Sequence, residues 1–448
     1  MSTTTTAVLP RRVVAGYALG SVGTGGFGVL PGLVLSYYLT DTLGVTAGLA
    51  SLVVTLPKIW DVVIDPFIGR LSDASARRRG SRRAFLLAGA LGLPITFAGV
   101  FATPEALSGA AAGAWVACAF IIATTAFSLF QVPYIALPAE IAPDYASRTR
   151  LLAPRIAVLA VAILAFGAGG PMVRDAVGGG RAGYLAMGIV TGLLMGAGLL
   201  AAAFGATSGP RSALAPSEAP TGTSAIGAGV AALRESAPLR ALLAAFVLQA
   251  LATGAMLAAA QYVATYTLGD ESAVTFLFVA LVAPALLVMP FATRLAHRTG
   301  KQRALVLATG LFAVATLSLV AMRWVPGAWV YVSVALAGVA YAGLQLYPLA
   351  MLPDVIASDA RSGGDRAGVI AGVWTAGETS GLALGPTIAL GVLAVTGFTS
   401  RTGGVVLDQP DSAMLGVALI FSVLPAALAA ASLLPLSRYH LTREEVDA

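Results

Sequence analysis

The feature that most constrains this chain is a succession of long apolar segments. The sequence is 58% hydrophobic and only 11% charged, whereas a soluble domain carries about 25% charged residues. A helix needs about 20 mostly apolar residues to cross a bilayer core, and twelve segments meet that length. We therefore predict an all-α integral membrane protein. The predicted spans are 13–40, 47–72, 84–103, 111–138, 152–172, 183–205, 239–267, 273–296, 303–322, 328–352, 367–397 and 412–436.

Basic residues are distributed unevenly between the loops. If the N-terminus is cytoplasmic, most of the 27 lysines and arginines fall on the cytoplasmic side, and the opposite loops hold only Arg174, Arg181, Arg323 and Arg401. Basic loops favour the cytoplasm. We predict two cytoplasmic termini and a multi-pass protein of a bacterial inner (plasma) membrane. The net charge of +6 follows from this topology, so we expect membrane lipid around the protein and no nucleic-acid partner.

The segment 206–238 has the composition of a linker. It contains four prolines among Ser, Thr, Gly and Ala, a mixture typical of connecting chain. Its distal part, Ala225 to Ser236, favours a short surface helix. We predict an N-terminal six-helix half at 1–205, a cytoplasmic linker at 206–238 and a C-terminal six-helix half at 239–448.

The two halves repeat each other. PFIGRLSDASARRRGSRRA follows the second span from Pro66, and PFATRLAHRTGKQRA follows the eighth from Pro290. QVPYIALPAE ends the fourth span, and QLYPLAMLPD ends the tenth. Two related six-helix halves are typical of the major facilitator architecture, in which the substrate site lies near the midplane between the halves.

The second span carries three charges. Lys58, Asp61 and Asp65 are three and four residues apart, a spacing that puts them on one face of a helix. A charge inside a bilayer costs about 2.5–3.5 kcal/mol on insertion scales and often marks an ion or substrate path.

The residues around these charges carry a family signature. K-I-W-D-x-x-x-D-P-x-x-G-x-x-x-D, followed by R-x-G-x-R-R, resembles that of the glycoside–pentoside–hexuronide:cation symporters, the melibiose permease family. The resemblance extends to YYLTDTLGV, to QVPYIALPAEIAPDYASRTRLLAPRIAV and to WTAGETSGLALG. It covers most of the N-terminal half and, more loosely, the C-terminal half.

The resemblance implies a coupling-cation site. The family's two cation-binding carboxylates correspond to Asp61 and Asp65, and a family hydroxyl corresponds to Ser128. Lys58 corresponds to a basic neighbour of the acidic pair, although it also fits a purely structural ion pair with Asp61. No other cofactor is implied. The cation itself, Na⁺, Li⁺ or H⁺, stays open.

The resemblance also shows departures at the sugar site. Arg155 corresponds to an arginine of the family's sugar pocket, but the two sugar-binding aspartates correspond to Gly25 and Gln131. A lysine of the eleventh span corresponds to Thr379, and an amide-containing residue corresponds to Ile64. The cation pair is therefore kept while the charged contacts to sugar are lost.

Neutral and aromatic residues are the remaining candidates for the solute site. Tyr and Trp offer flat apolar faces with a polar edge, which suits glycosides or amphiphiles, although they are also ordinary anchors at membrane interfaces. Glu378, a lone carboxylate in an apolar span, fits either a proton site or a solute contact. The candidates are Tyr17, Gln131, Tyr134, Gln249, Gln261, Tyr262, Tyr341, Gln345, Tyr347, Trp374 and Glu378.

The charged cytoplasmic helix ends have two compatible interpretations. They act as a topology signal, and they also fit a latch between the halves that forms when the protein faces outward. The latch candidates are Asp73, Arg77, Arg82, Arg83, Glu140 and Asp354.

The sequence favours a cation-coupled secondary transporter of a small glycoside-like or amphiphilic solute, acting as a monomer. Alternatives are a proton-driven metabolite exporter, a lysolipid-type symporter and a ligand sensor that does not transport. The single cysteine, Cys118, the short loops and the missing nucleophile and phosphate-binding motifs argue against an enzyme.

Overall fold

The computed structural model describes residues 9–141, 145–208, 223–361, 367–402 and 408–441. Short π-helical turns extend α1 (Tyr38–Thr42) and α8 (Val263–Thr267), and 3₁₀ turns follow α6 (Ala206–Ser208) and α10 (Leu319–Arg323). The α-helices are α1 (Arg11–Tyr37), α2 (Ala47–Arg79), α3 (Arg83–Phe101), α4 (Gly109–Ile141), α5 (Tyr145–Ala176), α6 (Gly180–Gly205), α7 (Thr223–Glu235), α8 (Ala237–Tyr262), α9 (Ala273–Thr299), α10 (Lys301–Ser318), α11 (Trp329–Arg361), α12 (Ala367–Val395), α13 (Asp411–Phe421) and α14 (Val423–Leu436).

Twelve of the described helical segments are long and apolar enough to cross a membrane, which confirms the predicted number of spans. The twelfth comprises α13 and α14, which meet at Ser422, where the backbone leaves the helical region. The predicted linker helix is α7, and it packs against α12. Residues 209–222 of the predicted linker lie outside the described residues.

The spanning helices form two bundles. In the first, α1 packs on α5 and α6, α3 packs on α4 and α6, and α2 packs on α4. In the second, α8 packs on α12 and α14, while α11 packs on α9 and α10. The domain boundaries at 205 and 239 agree with this packing but stay a prediction.

Small residues bring helices of one bundle close together. A Cβ on Gly16 of α1 would lie 2.6 Å from Cα of Gly205 in α6. Only glycine permits this backbone approach, which is a common way of packing helices in membranes. The contact fixes α1, a central helix of the first bundle, against α6.

The helix ends define two sides of the molecule. The arginine-rich side carries the turns after α2 and α9, and the arginine-poor side carries the ends of α1, α5 and α12. Among the described residues, the hydrogen bonds between the bundles cluster on the arginine-poor side, with the deepest at Thr55, whose hydroxyl bonds that of Thr387 at 2.6 Å. The structure is therefore closed on the arginine-poor side. Placing the arginine-rich side in the cytoplasm stays a prediction.

Candidate cation and solute sites

Two carboxylates of α2 face two hydroxyls of α4. Asp61 and Asp65 lie on consecutive turns of α2, and Thr124 and Ser128 lie on consecutive turns of α4. Thr124 is a side-chain hydrogen-bond partner of Asp61, and Ser128 is one of Asp65. Trp60 supports this register, because its Nε1 donates to Thr125 Oγ1 at 2.8 Å. The two helices therefore present two matched pairs of oxygen-bearing side chains.

Each of the two carboxylates has one oxygen without a described hydrogen-bond partner. Oδ1 of Asp61 and Oδ1 of Asp65 are buried without a hydrogen-bond partner in the described structure. Lys58 Nζ lies 3.6 Å from the other Asp61 oxygen, and both side chains remain partly exposed. A buried acceptor without a donor is costly, and a hard cation with oxygen ligands removes that cost. Carboxylate and hydroxyl oxygens fit Na⁺ or Li⁺, and the carboxylates also fit a proton.

Thr124 was missed by the sequence argument. The signal was present, because Thr124 and Ser128 are four residues apart, as are Asp61 and Asp65. Matching the two spacings would have required knowing that α2 and α4 are neighbours.

Arg155 of α5 lies on two stacked tyrosines. Its guanidinium carbon is 5.2 Å from the Tyr134 ring centroid and 5.8 Å from that of Tyr17, and the two rings stack at 4.6 Å. Tyr134 also donates its hydroxyl to the Tyr17 carbonyl oxygen at 2.6 Å. Arg155 Nε and Gln131 Oε1 are buried without a partner among the described residues. The tyrosines therefore orient Arg155, which retains an unused N–H.

Position 25 lies at a close helix contact. A Cβ on Gly25 would lie 3.0 Å from the Ala162 Cβ and 3.2 Å from Leu159 Cδ1. In this conformation Gly25 faces the contact between α1 and α5, and its assignment to the solute site stays a prediction.

Gln261 and Tyr262 make hydrogen bonds between the bundles in this conformation, and their assignment to the solute site stays a prediction. Gln261 Oε1 accepts a hydrogen bond from Arg174 Nη1 at 2.8 Å, and the Tyr262 hydroxyl bonds Thr40 Oγ1 at 2.8 Å. Both side chains are fully buried on the arginine-poor side. In this conformation they join the two bundles and do not line an open solute site.

The bonds of Tyr262 belong to a symmetric contact between the π-helical turns. Tyr262 bonds Thr40 at 2.8 Å, and Tyr37 accepts from Thr265 at 3.1 Å. Each tyrosine is the last residue of its α-helix, and each threonine lies three residues later. The bundles therefore exchange equivalent bonds. A repeat missed by the sequence argument, Y-x-x-T-x-T-L-G at 37–44 and 262–269, encodes this contact.

Charged residues reinforce the contact. Arg401 Nε lies 2.9 Å from Asp41 Oδ1, and Tyr266 also donates to Asp41. Arg401 Nη2 donates to the Tyr37 hydroxyl at 2.6 Å and lies 3.2 Å from Glu271 Oε1. From the sequence, Arg401 is expected only to be one of four basic residues in the loops opposite the cytoplasm. We call the following set the arginine-poor gate: Tyr37, Thr40, Asp41, Arg174, Gln261, Tyr262, Thr265, Tyr266, Glu271 and Arg401.

On the arginine-rich side, two described ion pairs of the latch candidates each lie within a single bundle. Arg82 Nη1 is 2.6 Å from Asp73 Oδ1, and Lys301 Nζ is 2.7 Å from Asp354 Oδ2. Because the arginine-poor side is closed, this is not the conformation in which the predicted latch would form, so the latch stays a prediction.

The other latch candidates form no described contact between the bundles. The Arg83 guanidinium lies over the Phe204 ring at 4.6 Å, within the first bundle. Arg77 is exposed in the last turn of α2, and the side chain of Glu140 lies outside the described residues.

The remaining solute candidates lie in the second bundle. Gln249, Tyr341, Gln345 and Glu378 line one cavity between α8, α11 and α12. Trp374 stacks on Phe246 with ring centroids 4.4 Å apart, and its Nε1 is buried without a described partner. Tyr347 has a structural role, because its hydroxyl donates to the Ala292 carbonyl at 3.0 Å. Thr379 is exposed.

The two bundles and the acidic site between α2 and α4 define a membrane transporter of the major facilitator type. The family model described as MFS/sugar transport protein matches residues 16–443. The chain therefore belongs to this family. Its twelve described membrane-spanning helices, together with symporter relatives from bacteria, indicate a multi-pass protein of the bacterial inner membrane.

Individual comparisons agree with this family. The chain is 31% identical to the putative glycoside/cation symporter YagG of Escherichia coli over 150 residues, which cover 34% of this chain and 32% of the relative. It is 25% identical to the uncharacterized symporter YnaJ of Bacillus subtilis over 96% of this chain and 92% of that protein. A crystal structure of a D-xylose-proton symporter superposes with a TM-score of 0.68 at 13% identity, over 97% of this chain and 98% of that one, which shows a shared fold.

Proposed function

We propose that this protein is a cation-coupled secondary transporter of a small solute, working by alternating access. The coupling cation binds between α2 and α4, to Asp61 and Asp65 with Thr124 and Ser128. The observation that carries the proposal is the pair of buried, unpartnered carboxylate oxygens facing hydroxyls one helix away.

The coupling follows from the charges of the site. Without a cation, Asp61 and Asp65 repel each other, and only Lys58, 3.6 Å from Asp61, partly neutralises them. A bound cation removes the repulsion and stabilises one arrangement of α2 and α4. Coupling requires that this arrangement also bind the solute more tightly.

The solute we propose is a glycoside or a similarly amphiphilic molecule. The relative YagG is named a putative glycoside/cation symporter, and sugar hydroxyls both donate and accept hydrogen bonds. In this chain the unused Arg155 Nε supplies a donor and Gln131 Oε1 an acceptor. With the arginine-poor gate closed, we expect the solute to approach these groups from the arginine-rich side, the predicted cytoplasm.

The test combines cation binding with flux. Thermal unfolding of purified protein is measured against Na⁺, Li⁺ and pH, since a ligand stabilises the state that binds it. Flux in proteoliposomes is measured with a panel of labelled glycosides. Asp61→Asn and Asp65→Asn are expected to abolish both cation stabilisation and cation-dependent flux. Asp411→Asn, which changes an exposed carboxylate paired with Arg323, is expected to behave as wild type.

Several outcomes would overturn the proposal. Normal cation dependence in both aspartate variants removes the site. Outward flux driven only by a proton gradient points to an exporter, and flux of lysolipids but not glycosides points to the lysolipid-type symporters. Solute binding without any flux identifies a sensor.

A further inference from the structure

We propose that the second bundle contains a separate cation site, specific for a proton, at Glu378. The site lies in α12 and uses none of the residues assigned to the coupling cation. It adds a second ion to the proposed transport cycle, and in that sense rests on the proposed function.

Glu378 lines a small cavity between α8, α11 and α12. Its side chain is half-buried. Across the described part of the chain, Glu378 forms no hydrogen bond and no ion pair. The cavity wall contains no lysine or arginine, and its other titratable group is Tyr341. A charged carboxylate at this position is therefore uncompensated.

Gln249 leaves an unused acceptor in the same cavity wall. It is 2% exposed, and its Nε2 donates to Thr309 Oγ1 at 3.0 Å and to Ser432 Oγ at 3.2 Å. These bonds orient the amide, and they leave Oε1 buried without a donor. A buried acceptor without a donor is destabilising.

The remaining polar groups supply few donors. Gln345 Nε2 donates one of its two N–H groups to the Tyr341 hydroxyl at 2.7 Å, which leaves its second N–H and the Tyr341 hydroxyl proton as donors. The cavity thus combines a carboxylate and amide oxygens with two remaining neutral donors. Its described wall contains no positive charge.

A proton on Glu378 would remove the uncompensated charge and supply a donor for the unpartnered amide oxygen. The neutral carboxyl no longer carries an unpaired charge in the membrane, which is the costly state. Its O–H also becomes a donor that an amide oxygen of the cavity can accept. A metal ion would instead need a shell of several oxygen ligands.

The proton site is connected to the coupling site through one helix contact. Glu378 lies on α12, and Thr387 of the same helix bonds Thr55 of α2 at 2.6 Å. α2 carries Asp61 and Asp65. Protonation of Glu378 can therefore influence how α12 contacts the cation-binding helix without sharing a ligand with it.

Infrared spectroscopy of the purified, Na⁺-saturated protein in detergent tests the site. At neutral pH, where exposed carboxyl groups are ionised, we expect a protonated-carboxyl C=O band that disappears in Glu378→Gln. The band should persist in Glu105→Gln, a matched change at an exposed loop residue, and in the Asp61→Asn/Asp65→Asn double variant. An unchanged band in Glu378→Gln, or no such band in the wild type, would overturn the proposal.

A second variant and a second measurement complete the test. If Glu378→Gln does not fold, Glu378→Asp keeps the carboxyl and should shift the band, whereas an unshifted band contradicts the assignment. Na⁺ stabilisation is measured on the same samples. Its retention in Glu378→Gln and its loss in the Asp61/Asp65 variant separate the proton site from the coupling site, so failure of one is distinguishable from failure of the other.

Discussion

Asp41 and Arg401 form a buried ion pair that joins the two bundles, with Asp41 Oδ1 2.9 Å from Arg401 Nε. Their side chains are 0% and 2% exposed. Removing one partner of a buried pair leaves an uncompensated charge and typically costs about 3–5 kcal/mol. Because the pair crosses between bundles, that cost falls on the closed arrangement of the arginine-poor side.

Asp41→Asn is therefore expected to open the arginine-poor gate. Arg401 would lose its carboxylate, and the closed state should be destabilised by about 3–5 kcal/mol. Spin labels at Glu105→Cys and Asp270→Cys, two exposed positions on opposite bundles, report the separation by double electron–electron resonance in a Cys118→Ser background. We expect longer distances in Asp41→Asn.

The control for this experiment is Arg323→Gln. It also breaks an arginine–aspartate pair, but Arg323 and Asp411 belong to the same bundle and Asp411 is 97% exposed. An exposed pair contributes about 0–1 kcal/mol, so the distances should not change. Equal distances in Asp41→Asn and wild type would show that the pair does not control closure.

Tyr262→Phe should have a smaller effect on the same gate. It removes the hydroxyl that bonds Thr40 at 2.8 Å and keeps the ring that packs edge-to-face on Tyr37. The net loss is about 0.5–1.5 kcal/mol, so the label distances should shift in the direction seen for Asp41→Asn but by less. A shift equal to that of Asp41→Asn would contradict the ranking of these contacts.

Lys58→Gln is expected to tighten Na⁺ binding. Lys58 competes with the cation for Asp61, and the pair is partly exposed, so its removal should contribute on the order of 1 kcal/mol, about five-fold in affinity. Na⁺ titration of the thermal transition gives the measurement. The control is Lys301→Gln, which changes the only other lysine of the sequence. Lys301 pairs with Asp354, far along the chain from the cation site, so this variant should leave Na⁺ affinity unchanged. Weaker Na⁺ binding in Lys58→Gln would instead show that Lys58 supports the site.

Thr124→Val tests the hydroxyl that the sequence argument missed. Valine keeps the shape and removes the oxygen facing Asp61, so Na⁺ affinity should fall about ten-fold if that oxygen is a ligand, equivalent to roughly 1.4 kcal/mol. Thr96→Val is the matched control, because among the described residues the Thr96 hydroxyl bonds only Gly92 and Leu93 of its own helix. Unchanged affinity in Thr124→Val would limit the site to Asp61, Asp65 and Ser128.

The sequence predicted the fold well because the membrane limits the possibilities. Apolar length determines where a helix can span, and the twelve predicted spans correspond to twelve helical segments. The repeats at Pro66 and Pro290 indicated two related halves. The shared helix face of Asp61 and Asp65 could also be predicted, since helical spacing alone places them on one face.

Contacts between helices were harder to predict from the sequence. Gly25 was assigned to the solute site by correspondence, but the direction of its missing side chain depends on α5 packing behind it. Gln261 and Tyr262 have polar edges that suit a solute, yet they bond Arg174 and Thr40 in the closed gate. The partner of a side chain depends on the conformation of the protein, and a sequence pattern does not specify that conformation.

The sequence alone determined the number of membrane helices, the two-half organisation and the acidic face of α2, because hydropathy and helical periodicity act within single segments. Only the tertiary structure decided that Thr124 meets Asp61, that Arg401 pairs with Asp41 across 360 residues, and that Glu378 lies in a cavity without a counter-charge. These relationships depend on which helices become neighbours and on which side the bundles close. Packing of the whole molecule sets both.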